Sequence, residues 1–418
     1  MVKPSIFKGL NLAKSATAIA VMLSLVACDE STSSTQGSQF GQAESTPTTP
    51  TDSFNQSLLL ESLNDNVILP TYTRFSEKAL SQESVISEYC SGLSSQAADS
   101  DALKVAAQQS WREAMAVWQM AEVMQIGPLL ENSNSLRNRI YSWPNTSACA
   151  VDQDVVLSQQ STYDISTRTA SRKGLDALEY LLFNPSLEHS CTVFGTAPEG
   201  WNERTLEDRS LARCEFAKQV STDLVDNADE LLRAWSGEEG RPGYADVLKS
   251  AGQPDSEFSD VHQALNLVTD ALFYIETLTK DAKLATPLGL FANDCGLAPC
   301  VENVESLYAQ NSLDNIISNI QGLSMMFFGG DSESAVGFDD YLIEVGDGDT
   351  AQQMSIDLAE VEQFALSLQQ SLTALLNQEP EQVREVHTQL KDLTDNLKND
   401  FIQSLSLELP ATSAGDND

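Results

Sequence analysis

Apolar residues recur every three or four positions in four long stretches of the chain, and this period indicates amphipathic helices. The stretches are residues 103–121, 217–235, 358–375 and 383–397. Ahead of the second stretch, Thr205 and Asp208 have the spacing of a capping box, which marks the start of a helix. Pro380 suits the first turn of the helix predicted over 383–397. Alternating apolar and polar runs joined by hairpin turns are scarce. The pattern therefore predicts an all-α fold built from antiparallel, four-helix-type bundles.

Segments rich in Gly, Pro, Ser, Asn or Asp separate the helical stretches. They are predicted to be irregular connections, and they cover residues 127–171, 184–204, 237–260 and 329–349. The segment 237–260 contains two Gly-rich turns and is predicted to be the loop between two bundles. The predicted organisation is a first bundle at 55–236, this connecting loop, a second bundle at 261–408 and a flexible tail at 409–418.

The N-terminal residues have the pattern of an export signal. Three lysines precede an apolar run that ends in Leu-Val-Ala-Cys28, and this ending resembles a bacterial lipobox. We expect a lipoprotein signal peptide at 1–27 and lipid attachment at Cys28; an ordinary signal peptide with a chance cysteine is the alternative. Residues 28–54 are mostly small and polar and are predicted to be a flexible tether. The expected location is a bacterial membrane, which the protein joins through its lipid anchor while facing the periplasm or the cell surface.

Charge and cysteine content restrict the function further. The 418 residues carry 61 acidic and 24 basic side chains, a net charge of −37, so a nucleic-acid partner is not expected. Apart from Cys28 there are six cysteines, an even number that suits disulfides in an oxidising compartment. They allow 15 pairings. The pairs we expect are Cys295–Cys300, Cys191–Cys214 and Cys90–Cys149.

The most unusual segment is RKGLDALEYLLF, residues 172–183, where two acidic residues lie in an otherwise apolar helix. Asp176 and Glu179 are three residues apart, so their carboxylates share one helix face and repel each other. Apolar residues around them predict burial on several sides. Two buried anions need a cation, a cluster of donors or a shared proton, which makes this segment a candidate site.

The same segment resembles the signature of the imelysin family, G-x-H-x-x-E followed by an apolar run. Gly174 and Glu179 match the signature, and Asp176 occupies the position of its histidine. Further pieces resemble the family in the same order: LNDNVILPTYTRF (63–75), the Trp111/Trp118 helix that ends in Gly127-Pro128, YSWP (141–144), DAKLATPLGL (281–290) and NIQGLSMMFFGG (319–330). The resemblance implies two related four-helix bundles with the motif near their interface. It also implies a periplasmic or surface lipoprotein linked to iron or other metal uptake.

The family takes its name from an insulin-cleaving peptidase activity, which the substitution at Asp176 makes doubtful for this chain. None of its three histidines is followed three residues later by Glu, and H-E-x-x-H is absent. Three interpretations of the acidic pair remain open. Arg172 and Lys173 could form an ion cluster with it, or the site could bind a partner or an organic ligand. Alternatively, Asp176 and Glu179, with Glu122 as a further carboxylate, could bind Fe, Ca²⁺, Mg²⁺ or Mn²⁺.

The function that these features favour is that of a binding component in iron or other metal acquisition. A metal-dependent peptidase of the imelysin type is the first alternative, and a protein-interaction scaffold without a small ligand is the second. The sequence identifies neither the metal nor partner proteins of a metal-uptake system.

Overall fold

The fold is entirely helical over the part of the chain that the structure, a computed structural model, describes: residues 54–193, 195–332, 334–410 and 413. Within these ranges there is no strand, and the only pairings of β type are two isolated bridges at turns. The predicted all-α class is confirmed.

The first half of the described chain contains eight α-helices. They are α1 (Gln56–Ser62), α2 (Leu69–Ser94), α3 (Ser100–Ala121), α4 (Glu131–Ile140), α5 (Ala148–Leu157), α6 (Gly174–Phe183), α7 (Leu206–Ser236) and α8 (Tyr244–Lys249). A π-helical segment, Leu63–Ile68, joins α1 to α2. Short 3₁₀ turns cover Glu122–Met124, Gly127–Leu129, Ile165–Thr167 and Ala170–Arg172.

The second half contains eight more. They are α9 (Val261–Leu272), α10 (Thr286–Leu288), α11 (Ser312–Phe328), α12 (Phe338–Glu344), α13 (Gly348–Ser367), α14 (Leu372–Gln378), α15 (Pro380–Asn396) and α16 (Ile402–Ser404). Two π-helical segments, Ile275–Ala285 and Leu397–Phe401, and the 3₁₀ turn Val301–Asn303 complete the set.

Helix packing follows the apolar stripes. In the first half α2 packs against α3 and α7, and α6 packs against the same two helices; in the second half α13 packs against α11 and α15. Helices α3 and α11 also pack on each other, so the two sets share one core, and the described residues form one compact unit. Trp111 and Trp118 are fully buried on α3, as expected for a packing stripe. The division into two four-helix bundles stays a prediction.

Three of the segments predicted to be irregular contain helices. Segment 127–171 includes α4 and α5, and segment 329–349 includes α12. The predicted connecting loop, 237–260, is wrong in part because it contains α8, whose Ala245 and Leu248 are buried. A helix of six residues is too short to show a repeating stripe, so periodicity could not reveal it.

The single stripe predicted over 358–375 is divided between two helices. Helix α13 ends at Ser367, and α14 begins at Leu372 after an extended Leu368. Ser371 caps α14 by accepting a hydrogen bond from the backbone N–H of Ala374, so a new helix starts here.

All six cysteines form disulfides, but two of the three predicted pairs are wrong. Cys295–Cys300 is confirmed, and the others are Cys90–Cys214 and Cys149–Cys191 rather than Cys90–Cys149 and Cys191–Cys214. The reason is tertiary. Helix α2 lies along α7, which brings Cys90 to Cys214, and the loop after α6 passes the first turn of α5, which brings Cys191 to Cys149.

The predicted signal peptide (1–27), Cys28 and the tether up to residue 53 lie outside the described residues. Of the predicted tail, residues 411–412 and 414–418 also lie outside them. None of the helices described has the length and apolar character of a membrane span.

Candidate functional site

A glycine at the start of α6 sets the position of the acidic pair. Gly174 has φ +83°, and a Cβ at this position would lie 2.6 Å from the carbonyl oxygen of Ile140 and 2.9 Å from that of Arg139. Only glycine tolerates both the left-handed backbone and this close approach. The N-terminus of α6 therefore packs directly on the last turn of α4, and Asp176 lies in the first turn of α6, next to the segment that follows α4.

Asp176 is buried, with 5 % of its surface exposed, and its two carboxylate oxygens differ. Oδ2 accepts hydrogen bonds from the Ser142 hydroxyl at 2.5 Å, the Ser142 N–H at 3.3 Å and the Thr146 hydroxyl at 2.5 Å. Oδ1 is buried and meets no donor among the described residues. Burial raises the pKa of Asp176, and the hydroxyl donors oppose that rise. Because an unpaired buried acceptor is costly, Oδ1 is an open position for a cation, a proton or water.

Glu179 is equally buried and links α6 to the second half of the chain. Its Oε1 accepts hydrogen bonds from the backbone N–H groups of Tyr308, at 2.8 Å, and Ala309, at 3.0 Å. Burial, with smaller contributions from the carboxylates of Glu305 and Asp176, raises the pKa of Glu179 to about 8 against the effect of these two donors. In this state Glu179 holds a proton at pH 7, and a cation binding beside it would displace that proton.

The ion cluster, one of the three interpretations of the acidic pair, does not form with Arg172 and Lys173. Arg172 binds Asp154 of α5 at 2.7 Å, and Lys173 binds Asp223 of α7 at 3.0 Å. Lys173 has an extended backbone just before α6 begins, so the helical i, i+4 spacing between Arg172 and Asp176 does not apply. Neither basic side chain neutralises the acidic pair.

Glu122, the predicted further carboxylate, is fully buried at the end of α3. Its Oε1 accepts a hydrogen bond from the indole of Trp118 at 3.0 Å and pairs with Arg137 at 3.3 Å. Its Oε2 accepts a hydrogen bond from the Tyr274 hydroxyl. Both oxygens are therefore engaged by side chains of the protein, which leaves Glu122 poorly placed to act as a free ligand.

A third carboxylate in this region was missed by the sequence analysis. Glu305 is fully buried; its Oε1 accepts a hydrogen bond from the Tyr141 hydroxyl at 2.7 Å and pairs with the Lys283 ammonium at 3.1 Å. Its Oε2, like Oδ1 of Asp176, is buried without a donor in the part of the chain that the structure describes. The available signal was Lys283, a lone cation within the family-like segment DAKLATPLGL, which requires an anion if it is buried.

Two short segments bring the three carboxylates into one region. Tyr141, which binds Glu305, directly precedes Ser142, which binds Asp176. Glu305 lies three residues before Tyr308, whose N–H binds Glu179. These shared contacts define the carboxylate cluster: Asp176, Glu179 and Glu305.

The carboxylate cluster offers the oxygen ligands that hard cations prefer. Its three carboxylates are, however, too far apart for all of them to contact one ion directly. Among the described residues, only Cys295, Cys300 and Glu302 place three ligand atoms within 4.8 Å of one another, and both cysteines are disulfide-bonded. The three carboxylates of the cluster do not together meet this spacing. A cation would therefore be shared through a bridging water or after a side-chain rotation, as cations with several water ligands allow.

Comparisons with known proteins agree on the family and the fold. The family model described as Peptidase_M75, Imelysin, matches residues 68–399. "Iron-regulated protein A" of Synechococcus elongatus is 26 % identical over 260 residues, which span 62 % of this chain and 60 % of that relative. The matched region thus covers less than two thirds of the length of the Synechococcus relative.

Two crystal structures have the same fold. A protein described as an iron-regulated protein A precursor, from Parabacteroides distasonis, superimposes with a TM-score of 0.65 at 20 % identity, covering 84 % of this chain and 94 % of its own. An imelysin-like protein from Psychrobacter arcticum gives a TM-score of 0.61 at 16 % identity, with coverages of 85 % and 96 %.

Proposed function

Because this chain belongs to the imelysin family, we propose that it is an exported lipoprotein that binds a divalent cation at the carboxylate cluster and serves in iron or other metal acquisition. The Synechococcus relative is described as an iron-regulated protein, which supports a role connected with iron. Three disulfides support an oxidising compartment, and the lipobox-like Cys28 supports a membrane anchor.

The cation proposal rests on two buried carboxylate oxygens that accept no hydrogen bond from the described residues. Asp176 Oδ1 and Glu305 Oε2 are both buried and without hydrogen-bond donors in the described structure, and the carboxylates of both residues lie near enough to Glu179 to raise its pKa. Carboxylate oxygens suit Mn²⁺, Fe²⁺, Mg²⁺ and Ca²⁺, whereas zinc sites usually include imidazole or thiolate. A divalent ion would satisfy both oxygens and remove the repulsion among the three side chains.

Binding is preferred to peptidase activity on the chemistry of the donors. A catalytic metal centre needs an open water position and a general base besides its ligands. Here Asp176 stands in place of the motif histidine, and His262 binds the carbonyl oxygen of Ser406, far along the chain from the motif. A protease assay with an unfolded substrate, with and without added metal, distinguishes the two functions: metal-dependent cleavage by the wild type, lost on Asp176→Asn, would favour the peptidase.

The binding proposal is tested by thermal melting of metal-free protein titrated with Ca²⁺, Mg²⁺, Mn²⁺, Zn²⁺ and, without oxygen, Fe²⁺. A ligand present at 100 times its Kd stabilises a protein by about 2.7 kcal/mol, which is a measurable rise in Tm. Asp176→Asn should lose this rise because it removes one charge at constant size. The matched control is Asp226→Asn, an exposed aspartate on α7. Equal responses of both variants and wild type to every ion would refute the proposed site.

A further inference from the structure

A fully buried lysine, Lys283, contacts the carboxylate cluster through Glu305. Lys283 lies on the π-helical segment Ile275–Ala285, and none of its surface is exposed. Its ammonium donates to Gln119 Oε1 at 2.5 Å and Asn319 Oδ1 at 2.8 Å, and it pairs with Glu305 Oε1 at 3.1 Å. These three acceptors match the three N–H bonds of an ammonium, so its position is fixed.

The lysine in turn fixes Glu305. Oε1 of this carboxylate is held by Lys283, by the Tyr141 hydroxyl and by the amide of Gln119 at 3.2 Å. With Oε1 held from three directions, the carboxylate cannot rotate freely, and Oε2 is the atom left without a donor among the described residues. The contacts therefore leave Oε2 of Glu305 as the oxygen open to a ligand, and the Glu305 carboxylate lies near enough to Glu179 to raise its pKa.

The same lysine sets the charge of the site. Metal ligands bind in their ionised form, so a loaded carboxylate cluster contributes three negative charges, and Lys283 contributes one positive charge. The sum is −2, which a divalent ion neutralises. Arg137 and Glu122, the neighbouring charged pair, cancel each other at 3.3 Å. Charge balance matters here because charges interact more strongly in a buried site, from which bulk water is excluded, than at the surface.

From this geometry we propose that Glu305 is the third carboxylate of the cation site and that Lys283 is its positioning residue, which makes the site select divalent over trivalent ions. The inference rests on the cation-binding function proposed above. It adds a ligand and a selectivity rule that Asp176 and Glu179 alone do not provide.

The test compares Mn²⁺ with La³⁺, each added to metal-free full-length protein, with dissociation constants from calorimetry and Tm shifts. Glu305→Gln should weaken Mn²⁺ binding at least about tenfold, in the range found for altered metal surroundings. Glu360→Gln, an exposed glutamate on α13, is the matched control and should bind Mn²⁺ as the wild type does. Lys283→Met leaves a site of charge −3 and should shift the ratio of La³⁺ to Mn²⁺ affinity towards La³⁺ by at least about tenfold.

A double variant provides a control in case Lys283→Met alone does not fold. Removing one partner of a buried ion pair is strongly destabilising, whereas removing both is often tolerated. Lys283→Met combined with Glu305→Gln has a site charge of −2 again. It should fold, bind Mn²⁺ as weakly as Glu305→Gln, and have the wild-type ratio of La³⁺ to Mn²⁺ affinity.

The outcomes separate the two proposals. If wild type binds Mn²⁺ and either Glu305→Gln or the double variant binds it equally well, the role of Glu305 is refuted while the cation site stands. If Lys283→Met folds with an unchanged affinity ratio, or the double variant has the ratio of a −3 site, the selectivity role of Lys283 is refuted. If wild type binds neither ion, the proposed function fails and this inference fails with it.

Discussion

Replacing Glu179 by Gln should remove much of the pH dependence of stability in the metal-free protein. Burial raises the pKa of Glu179 from its ordinary value of 4.5 to about 8. A carboxyl whose pKa is higher in the folded state binds its proton more tightly when the chain is folded. Its stabilising contribution is therefore complete below pH 4.5, declines as the pH rises and is lost above pH 8.

The size of the effect follows from the same shift. One pKa unit corresponds to about 1.4 kcal/mol, so the free energy of unfolding should fall by up to about 5 kcal/mol between pH 4.5 and pH 8. Gln resembles the protonated glutamate in shape and keeps an oxygen to accept the N–H groups of Tyr308 and Ala309. The Glu179→Gln protein should therefore be at least as stable as wild type at pH 8.

The assay is urea unfolding of both proteins at pH 5, 6, 7 and 8 with a chelator present, so that no metal displaces the proton. Other groups also titrate in this range, including Asp176, whose pKa is raised in the same direction. The difference between the two slopes therefore isolates Glu179. Glu77→Gln, an exposed glutamate on α2, is the control and should follow wild type. Identical slopes for wild type and Glu179→Gln would refute the account of a protonated, buried Glu179.

Three other changes have defined consequences. Gly174→Ala places a Cβ 2.6 Å from the Ile140 carbonyl oxygen and should cost about 2–5 kcal/mol by urea unfolding, whereas a loss below 1 kcal/mol would contradict the close approach. Changing both Cys90 and Cys214 to Ser removes a disulfide between residues 124 apart in sequence, and it should lower the free energy of unfolding by about 3–5 kcal/mol. An unchanged Tm would contradict this expectation. Cys28→Ser should release the protein from the membrane fraction or leave an uncleaved precursor; a mature wild-type N-terminal peptide without acyl mass would refute lipidation.

The features that the sequence predicted well are those that neighbouring residues determine. The stripe at 217–235 lies within α7, and Thr205 caps this helix by accepting a hydrogen bond from the N–H of Asp208 at 3.1 Å. Both depend on residues within one or two helical turns. The pairing of Cys90 with Cys214 depends instead on α2 lying along α7, a contact between distant parts of the chain, and no local pattern encodes it.

The candidate site divides in the same way. Asp176 and Glu179 could be identified because two acids in an apolar helix are unusual, and both are buried as expected. Glu305 follows a polar loop, where an acidic residue is ordinary, so nothing nearby marks it. Its burial depends on Lys283 and Tyr141, which lie 22 and 164 residues away in sequence. Arg172 pairs with Asp154 rather than with Asp176 because the helix begins only after Lys173.

The most direct test of the cation site is a crystal structure of the metal-free protein soaked in Mn²⁺, with anomalous diffraction to locate the ion. The account predicts one buried anomalous peak, with oxygens of Asp176 and of Glu179 or Glu305 at about 2.0–2.6 Å or joined to it by a bound water. The same soak of Asp176→Asn crystals should lack this peak. Mn²⁺ found only at exposed acidic side chains, or a buried peak that persists in Asp176→Asn, would contradict the account.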